Sequence, residues 1–296
     1  MKKIGFIGLG IMGKPMSKNL LKAGYQLVVY DINEQAVTEL VEAGAEKGDS
    51  IKDVASKAEV IITMLPNSPQ VKEVVLGEDG VIHGAKQDAL VIDMSSIAPL
   101  VSREVGEELA AKGIRFLDAP VSGGQPKAVD GTLSIMVGGK EADFEESLPV
   151  LKCMGASAVL CGDVGAGNVT KLANQIIVAV NIAAMSEALV LATKAGVDPE
   201  SVYKAIRGGL AGSTVLDAKA PLVMDRKFDP GFRINLHIKD LNNIMETGHE
   251  VGAPLPLSAS VMEMMQALKV DGHGDKDHGS LVLFYEKLAN AIVQKG

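Results

Sequence analysis

Lys171 stands in the stretch Gly165–Gly196, GAGNVTKLANQIIVAVNIAAMSEALVLATKAG, together with Asn168, Asn174 and Gln175. Positions 168, 171 and 175, with 174 beside them, fall on one face of a helix at i, i+3 and i+4 spacing. An ammonium flanked by amides has two readings. It is a solvated helix end, or it is a proton donor facing a cleft between two domains. A second group with chemistry in it is Gly8-Leu9-Gly10-Ile11-Met12-Gly13, a G-x-G-x-x-G, with Asp31 placed 18 residues past Gly13. Glycines at that spacing permit a tight turn and let a pyrophosphate approach backbone N–H groups at a helix start. An acidic residue further on accepts hydrogen bonds from the adenosine ribose hydroxyls.

The elements around these residues agree with both groups. Lys3 to Ile7 is a short apolar strand running into the glycine loop, and the helix after it closes at Gly24. Gln26 to Tyr30 is a second strand that ends on Asp31. A lone G-x-G-x-x-G is weak, but placed strand–loop–helix–strand–Asp it is specific. Further strands are expected at Val60–Leu65, Ala89–Asp93, Arg115–Ala119, Leu133–Gly138 and Ala158–Cys161. Helices are expected after Ser68, from Pro99 to Lys112, and from Asp143 to Met154. This alternation predicts a Rossmann-type, doubly wound and mostly parallel sheet. Ligands bind beyond the C-terminal strand ends of such sheets. The tips there are Gly8–Gly13, Asp31, Leu65-Pro66-Asn67, Ser95-Ser96 and Ser122-Gly123-Gly124.

Strand patterns stop after Gly162. The Gly165–Gly196 stretch predicts one helix of roughly 45 Å, apolar all round its middle and so buried on most sides. Asp198-Pro199 then reads as an N-cap and N1 pair, and shorter helices follow near Ser213–Ala220, Lys239–Val251, Leu257–Val270 and Ser280–Val293. The expected organisation is a dinucleotide-binding domain over 1–162 and an all-α substrate and oligomerisation domain over 163–296, joined by the long helix. A length of 296 residues fits two domains.

Composition narrows the function. Net charge is −8, and the isoelectric point near 5.2 argues against nucleic acid or an anionic membrane surface as partner. Absence of Trp and only 3% aromatics argue against base-stacking platforms. Cys153 and Cys161 read as packed thiols in a reducing, cytoplasmic compartment. MKKIGFIGLGIMGK resembles a signal peptide superficially, yet its apolar run is short, glycine-laden and broken by Lys14-Pro15. Asp271, His273, Asp275, Asp277 and His278 crowd one segment, but their spacing matches no compact metal-ligand pattern; a polar surface loop is expected, and no metal. His83, His237 and His249 have no serine or cysteine partner motif, so hydrolase chemistry has no support. For the cofactor, a 2′-phosphate would meet the Asp31 carboxylate with no arginine in Ile32-Asn33 to neutralise it. NAD is expected over NADP, although Lys47 or Lys52 could still reach a phosphate.

GFIGLGIMGKPMSKNLLKAG, DAPVSGG, GDVGAGNVTKLANQ and the pair Lys239-Asp240 together resemble the β-hydroxyacid dehydrogenase family, which includes 3-hydroxyisobutyrate dehydrogenases and is related to 6-phosphogluconate dehydrogenase. The resemblance runs to about Leu288. It implies reversible reduction of a small carboxylate semialdehyde, by hydride transfer from NAD(P)H with lysine as general acid. It also implies residue roles. Lys171 matches the catalytic lysine, and Asn174 an amide on the same helix. Gln175 stands where many relatives carry a second asparagine, a departure at a substrate contact. Ser122, Gly123 and Gly124 match the loop that binds the substrate carboxylate, Ser96 a hydroxyl near the nicotinamide, and Lys239 a lysine beside the cofactor. A non-catalytic dinucleotide-binding module is the rival from another class, and the complete motif around Lys171 weighs against it. The apolar helical half suggests a homo-oligomer.

Overall fold

The computed structural model describes residues 2–295. The chain forms two compact units, one ending at Lys171 and the other starting at Leu172. The first contains strands β1 (Lys3–Ile7), β2 (Gln26–Tyr30), β3 (Glu46–Lys47), β4 (Val60–Thr63), β5 (Leu90–Asp93), β6 (Arg115–Asp118), β7 (Val121–Ser122), β8 (Leu133–Gly138) and β9 (Gly155–Gly162). Around them are helices α1 (Gly13–Lys22), α2 (Glu34–Glu42), α3 (Ile51–Lys57), α4 (Ser68–Leu76), α5 (Pro99–Ala111), α6 (Gly124–Asp130) and α7 (Glu141–Leu151). The sheet order is β3-β2-β1-β4-β5-β6-β8-β7, with β9 on β8. Pairing is parallel from β3 through β6 and again between β8 and β9; β8 runs antiparallel to β6 and β7.

The apolar runs of the central strands are explained by burial on both faces. Ile62 and Ile92 enter one core with Ile4, Phe6, Met16 and Leu20, while their neighbours Ile61 and Val91 enter the opposite core with Ile7, Val54 and Val105. Successive residues point to opposite faces of a strand, so a continuous hydrophobic run is what a doubly covered sheet requires. β9 is longer than the expected Ala158–Cys161 because it pairs with β8 along its whole length, from Leu133 to Gly138. β3 and β7 have two residues each, too few to show a period.

Helix α8 (Ala166–Lys194) passes from the first unit into the second, where α9 (Pro199–Ile206), α10 (Thr214–Met224), α11 (Ile234–Val251), α12 (Pro256–Val270) and α13 (Val282–Ala289) follow. In the second unit Ala179, Ile182 and Leu189 of α8 share a core with Leu216, Leu241, Met265 and Leu281. Asp198 caps α9 as expected, accepting from the backbone N–H groups of Glu200 and Ser201.

Three expectations need correction here. α11 begins at Ile234, five residues before Lys239, because its first N–H groups are satisfied from elsewhere: Ile234 donates to the Lys276 carbonyl and Asn235 to that of Gly274. The last helix is short. A 3₁₀ turn at His278–Leu281 precedes α13, and Asn290 at φ 45° ends it. The Asp271–His278 segment is not simply a polar surface loop. Asp277 is 3% exposed and His278 6%. Asp277 accepts from the N–H groups of Gly231, Phe232 and Gly279 and pairs with Lys219 at 2.9 Å, so it stitches the α10–α11 connection together. Among the described residues no group of three or more His, Cys, Asp or Glu side chains is placed to hold a metal.

Candidate functional site

The glycine loop between β1 and α1 separates its three glycines by purpose. Gly8 has φ +96° and donates its N–H to the Tyr30 carbonyl at 3.0 Å, and a Cβ there would collide with the Met64 carbonyl. A Cβ at Gly13 would collide with the Gly8 carbonyl oxygen. Gly10 is different, because a Cβ there would meet nothing within 4 Å. The first and third glycines are demanded by the fold. The second leaves open backbone where a phosphate can approach, as a bound dinucleotide requires. Ile11 is exposed on the rim of the loop and Met12 is the N-cap residue of α1.

Asp31 follows β2 directly. Its carboxylate accepts from the N–H groups of Leu9 at 2.5 Å and Asn33 at 2.7 Å, tying the loop to the strand end. A carboxylate has about four acceptor sites, so ribose hydroxyls can still be accommodated. Lys47, one of the two lysines that could serve a 2′-phosphate, is paired with Glu34 at 2.7 Å. Lys52 lies on α3. A cavity of about 560 Å³ adjoins the loop, lined among others by Leu9, Gly10, Ile11, Lys14 and Asn33.

At the next strand ends, Leu65, Pro66 and Asn67 lead from β4 into α4, with Asn67 at the N-cap position. The Leu65 N–H donates to Ser95 Oγ at 2.9 Å, and Ser95 Oγ donates to Asp93 at 2.5 Å. Thr63 Oγ1 donates to the same Asp93 oxygen at 2.8 Å. Asp93 is fully buried, and its other oxygen has no hydrogen-bond partner among the described residues. Burial pushes its pKa up to about 6, against the opposing pull of the Ser95 and Thr63 bonds. Ser96, half-buried, follows at the tip.

The start of α8 is fixed to the sheet by Asp118, the first residue of DAPVSGG. Its two oxygens accept from the Gly165 and Asn168 N–H groups, each at 2.7 Å. Burial raises the Asp118 pKa to about 6 despite those two bonds. Asn168 is itself buried; its Oδ1 accepts from the Ile97 N–H and its Nδ2 donates to Ser102 Oγ, both at 3.0 Å. Gly167 packs so closely that a Cβ would collide with the Met136 and Asp118 carbonyls. Lys171 comes one turn later, at 7% exposure. It is therefore not a solvated helix end. Ser122 ends β7, paired with Ser134 of β8. Gly123 and Gly124 follow at φ 139° and 69°, so this turn points successive backbone groups in a way that side chains disfavour. In the sequence Asp118 is signalled only by its position at a strand end before a glycine-containing turn.

In the second unit Asn174 is half-buried and Gln175 buried. Asn174 Nδ2 donates to Gln175 Oε1 at 2.8 Å, and Gln175 Nε2 donates to Asp240 Oδ2 at 2.5 Å. The other Asp240 oxygen pairs with Lys239 Nζ at 2.8 Å. The structure thus connects two predicted site regions, Asn174-Gln175 on α8 and Lys239 on α11, through a residue the sequence reading gave no role.

Comparison with known proteins identifies the family. Residues 3–164 match the family model described as the NAD binding domain of 6-phosphogluconate dehydrogenase. Residues 165–285 match the family model described as NAD-binding of NADP-dependent 3-hydroxyisobutyrate dehydrogenase. The chain is 43% identical to 2-hydroxy-3-oxopropionate reductase of Escherichia coli (strain K12), covering 97% of this chain and 98% of that one. It is 38% identical to 2-(hydroxymethyl)glutarate dehydrogenase of Eubacterium barkeri, over 99% and 98%. Among solved structures it resembles Mycobacterium tuberculosis 3-hydroxyisobutyrate dehydrogenase with L-serine, at a TM-score of 0.91 and 33% identity, over 96% and 99%. With an open Gly10 in the fingerprint loop, a buried lysine on an anchored helix and these relatives along its length, the chain belongs to the β-hydroxyacid dehydrogenase family and is an NAD(P)-dependent oxidoreductase.

Proposed function

We propose that this enzyme reduces tartronate semialdehyde (2-hydroxy-3-oxopropanoate) to D-glycerate, reversibly, with NADH preferred over NADPH. The observation that carries the chemistry is Lys171, buried one turn into a helix whose start is bonded to the Asp118 carboxylate. When bound, NADH would supply the hydride to the aldehyde carbon. Lys171 then gives its proton to the developing alkoxide, and its charge stabilises that oxygen before transfer. The Ser122 hydroxyl and the backbone N–H groups of Gly123 and Gly124 hold the substrate carboxylate. Asn174 orients the substrate, Ser96 and Leu65–Asn67 flank the cofactor, and Lys239 contacts it. Asp31 holds the adenosine ribose and disfavours a 2′-phosphate, and Glu34 occupies Lys47 in an ion pair.

Identity of 43% over nearly the whole chain to the Escherichia coli reductase supports the substrate. So does the wording of ITMLPNSP, IDMSSIAP, RGGLAGSTVLDAKAP and FDPGFRINLHIKDL. We place the enzyme in the cytoplasm as a homo-oligomer: both cysteines are free, and Leu191 stands exposed on α8. A panel of tartronate, methylmalonate and succinate semialdehydes, each assayed with NADH and NADPH, tests the reading. The expected result is the highest kcat/KM for tartronate semialdehyde with NADH. A higher value for either other aldehyde reassigns the substrate, and a clear NADPH preference removes the role given to Asp31.

A further inference from the structure

We propose that a pocket within the second unit, beside Asn174, receives the substituent on the substrate's α-carbon, and that it selects a hydroxyl over a methyl because Gln175 and Asp240 fix the polarity of the Asn174 amide. This rests on the substrate reading above, which places Asn174 at the substrate. The pocket has a volume of about 310 Å³ and is lined by Asn174, Asn181, Ser213 and Thr214, with Ile177 and Val215 among its apolar walls.

Polarity is passed along a chain of hydrogen bonds. Asp240 is 2% exposed and paired with Lys239, and a carboxylate in an ion pair only accepts. Gln175 must therefore turn its NH₂ end to Asp240, at 2.5 Å. That leaves Gln175 Oε1, an acceptor, facing Asn174, which answers with its own NH₂ at 2.8 Å. The carbonyl oxygen of Asn174 is consequently turned away from Gln175, as an acceptor for a ligand. Asparagine at position 175 would be one methylene shorter and would not span from α8 to Asp240 on α11 in the same way. Ser213, which also lines the pocket, already accepts at Oγ from the Leu216 N–H at 3.0 Å as N-cap of α10, so it has its own proton to donate. A ligand hydroxyl can give its proton to Asn174 and accept one from Ser213. A methyl group of nearly the same size answers neither. Asp240 is a positioning residue in this scheme, and Gln175, besides standing at a substrate contact, also acts through Asn174.

Glycerate and 3-hydroxyisobutyrate make the test direct, because they differ only by hydroxyl against methyl on the α-carbon. Oxidation of each is measured at saturating NAD⁺ with the wild type, Gln175→Leu and Asp240→Asn. NADH affinity is followed by fluorescence titration and folding by circular dichroism. Sites built to hydrogen-bond a substrate hydroxyl reject the analogue lacking it by 10⁴ or more. This pocket is open, so a wild-type preference for glycerate of about 100-fold in kcat/KM is expected. In both variants the preference should fall below about 10-fold, because KM rises more for glycerate than for 3-hydroxyisobutyrate. Gln175→Leu should leave NADH affinity intact, whereas Asp240→Asn weakens it by removing the ion pair between Asp240 and Lys239. A variant that fails to fold leaves the other to decide. An unchanged ratio in a folded variant overturns the relay while leaving the substrate reading standing. A wild type that binds NADH but oxidises neither acid, or prefers 3-hydroxyisobutyrate, overturns the substrate reading and the pocket's role with it.

Discussion

If Lys171 gives its proton to the forming alkoxide, Lys171→Ala should lower kcat by roughly 100- to 10,000-fold, the usual effect of removing a general acid. The helix should persist, since alanine is the best helix former, and NADH titration should give near wild-type affinity. Lys171→Arg should rescue only in part. Guanidinium keeps the charge, but it is a very poor proton donor and has a different shape. Near wild-type turnover in both variants would remove Lys171 from the mechanism, and full rescue by arginine would reduce its role to charge. The partners of α8 sharpen the expectation. Asp118 and Asn168 hold the turn before Lys171 to the sheet, so the lysine leaves the helix from a fixed base.

At the scale of the element, the β1–loop–α1 unit makes its glycines experimentally separable. Gly10→Ala adds a methyl group to open space and does not require a left-handed backbone. It should change stability by no more than about 0.5 kcal/mol, as surface substitutions do, while weakening NADH binding. Gly13→Ala drives the methyl into the Gly8 carbonyl and should cost about 1–3 kcal/mol, the range for overpacking. Chemical denaturation with NADH titration on the two variants reads both quantities. Equal destabilisation of the two would show that Gly10 serves the turn rather than the ligand.

Over the whole molecule, Asp93 and Asp118 reverse the usual relation between carboxylates and pH. Both have a pKa raised from 3.8 to about 6 by burial. Between about pH 4 and pH 6 the folded state therefore holds protons that the unfolded state has lost, and stability falls as pH rises. Below that window the two groups cost nothing; above it the penalty is complete, on the order of 3 kcal/mol for each at about 1.4 kcal/mol per unit. Asp93→Asn removes one of the two titrations. Its stability relative to the wild type should increase from pH 4 to pH 6 and then level off, as followed by urea denaturation at several pH values. A difference that is flat with pH would show that Asp93 is ionised throughout. α8 is long and apolar enough by length and composition to cross a membrane. Of its apolar residues Ala179, Ile182 and Leu189 enter the core of the second unit, whereas Ile177 and Leu191 are exposed, so the helix is not buried on most sides as its composition predicts.

The parts legible in the sequence were those written in neighbouring residues. The glycine fingerprint lies within six positions, its strands show runs of four or five apolar residues, and α8 shows uninterrupted helical composition, so local sterics and periodicity were enough to place them. The doubly wound sheet followed from their alternation, and the NAD(P) cofactor from the fingerprint. Boundaries set by distant partners were missed: α11 starts early because Gly274 and Lys276 accept its first N–H bonds, and Asp277 is buried because Lys219 and three N–H groups converge on it. The polar connections of the candidate site belong to the same class. Asp118 meets Gly165 across 47 residues, and Gln175 meets Asp240 across 65. No spacing rule operates at such separations. Whether a carboxylate there is solvated or buried, and which way an amide turns, depends on the atoms that folding brings around it, and so only the tertiary structure decided these points.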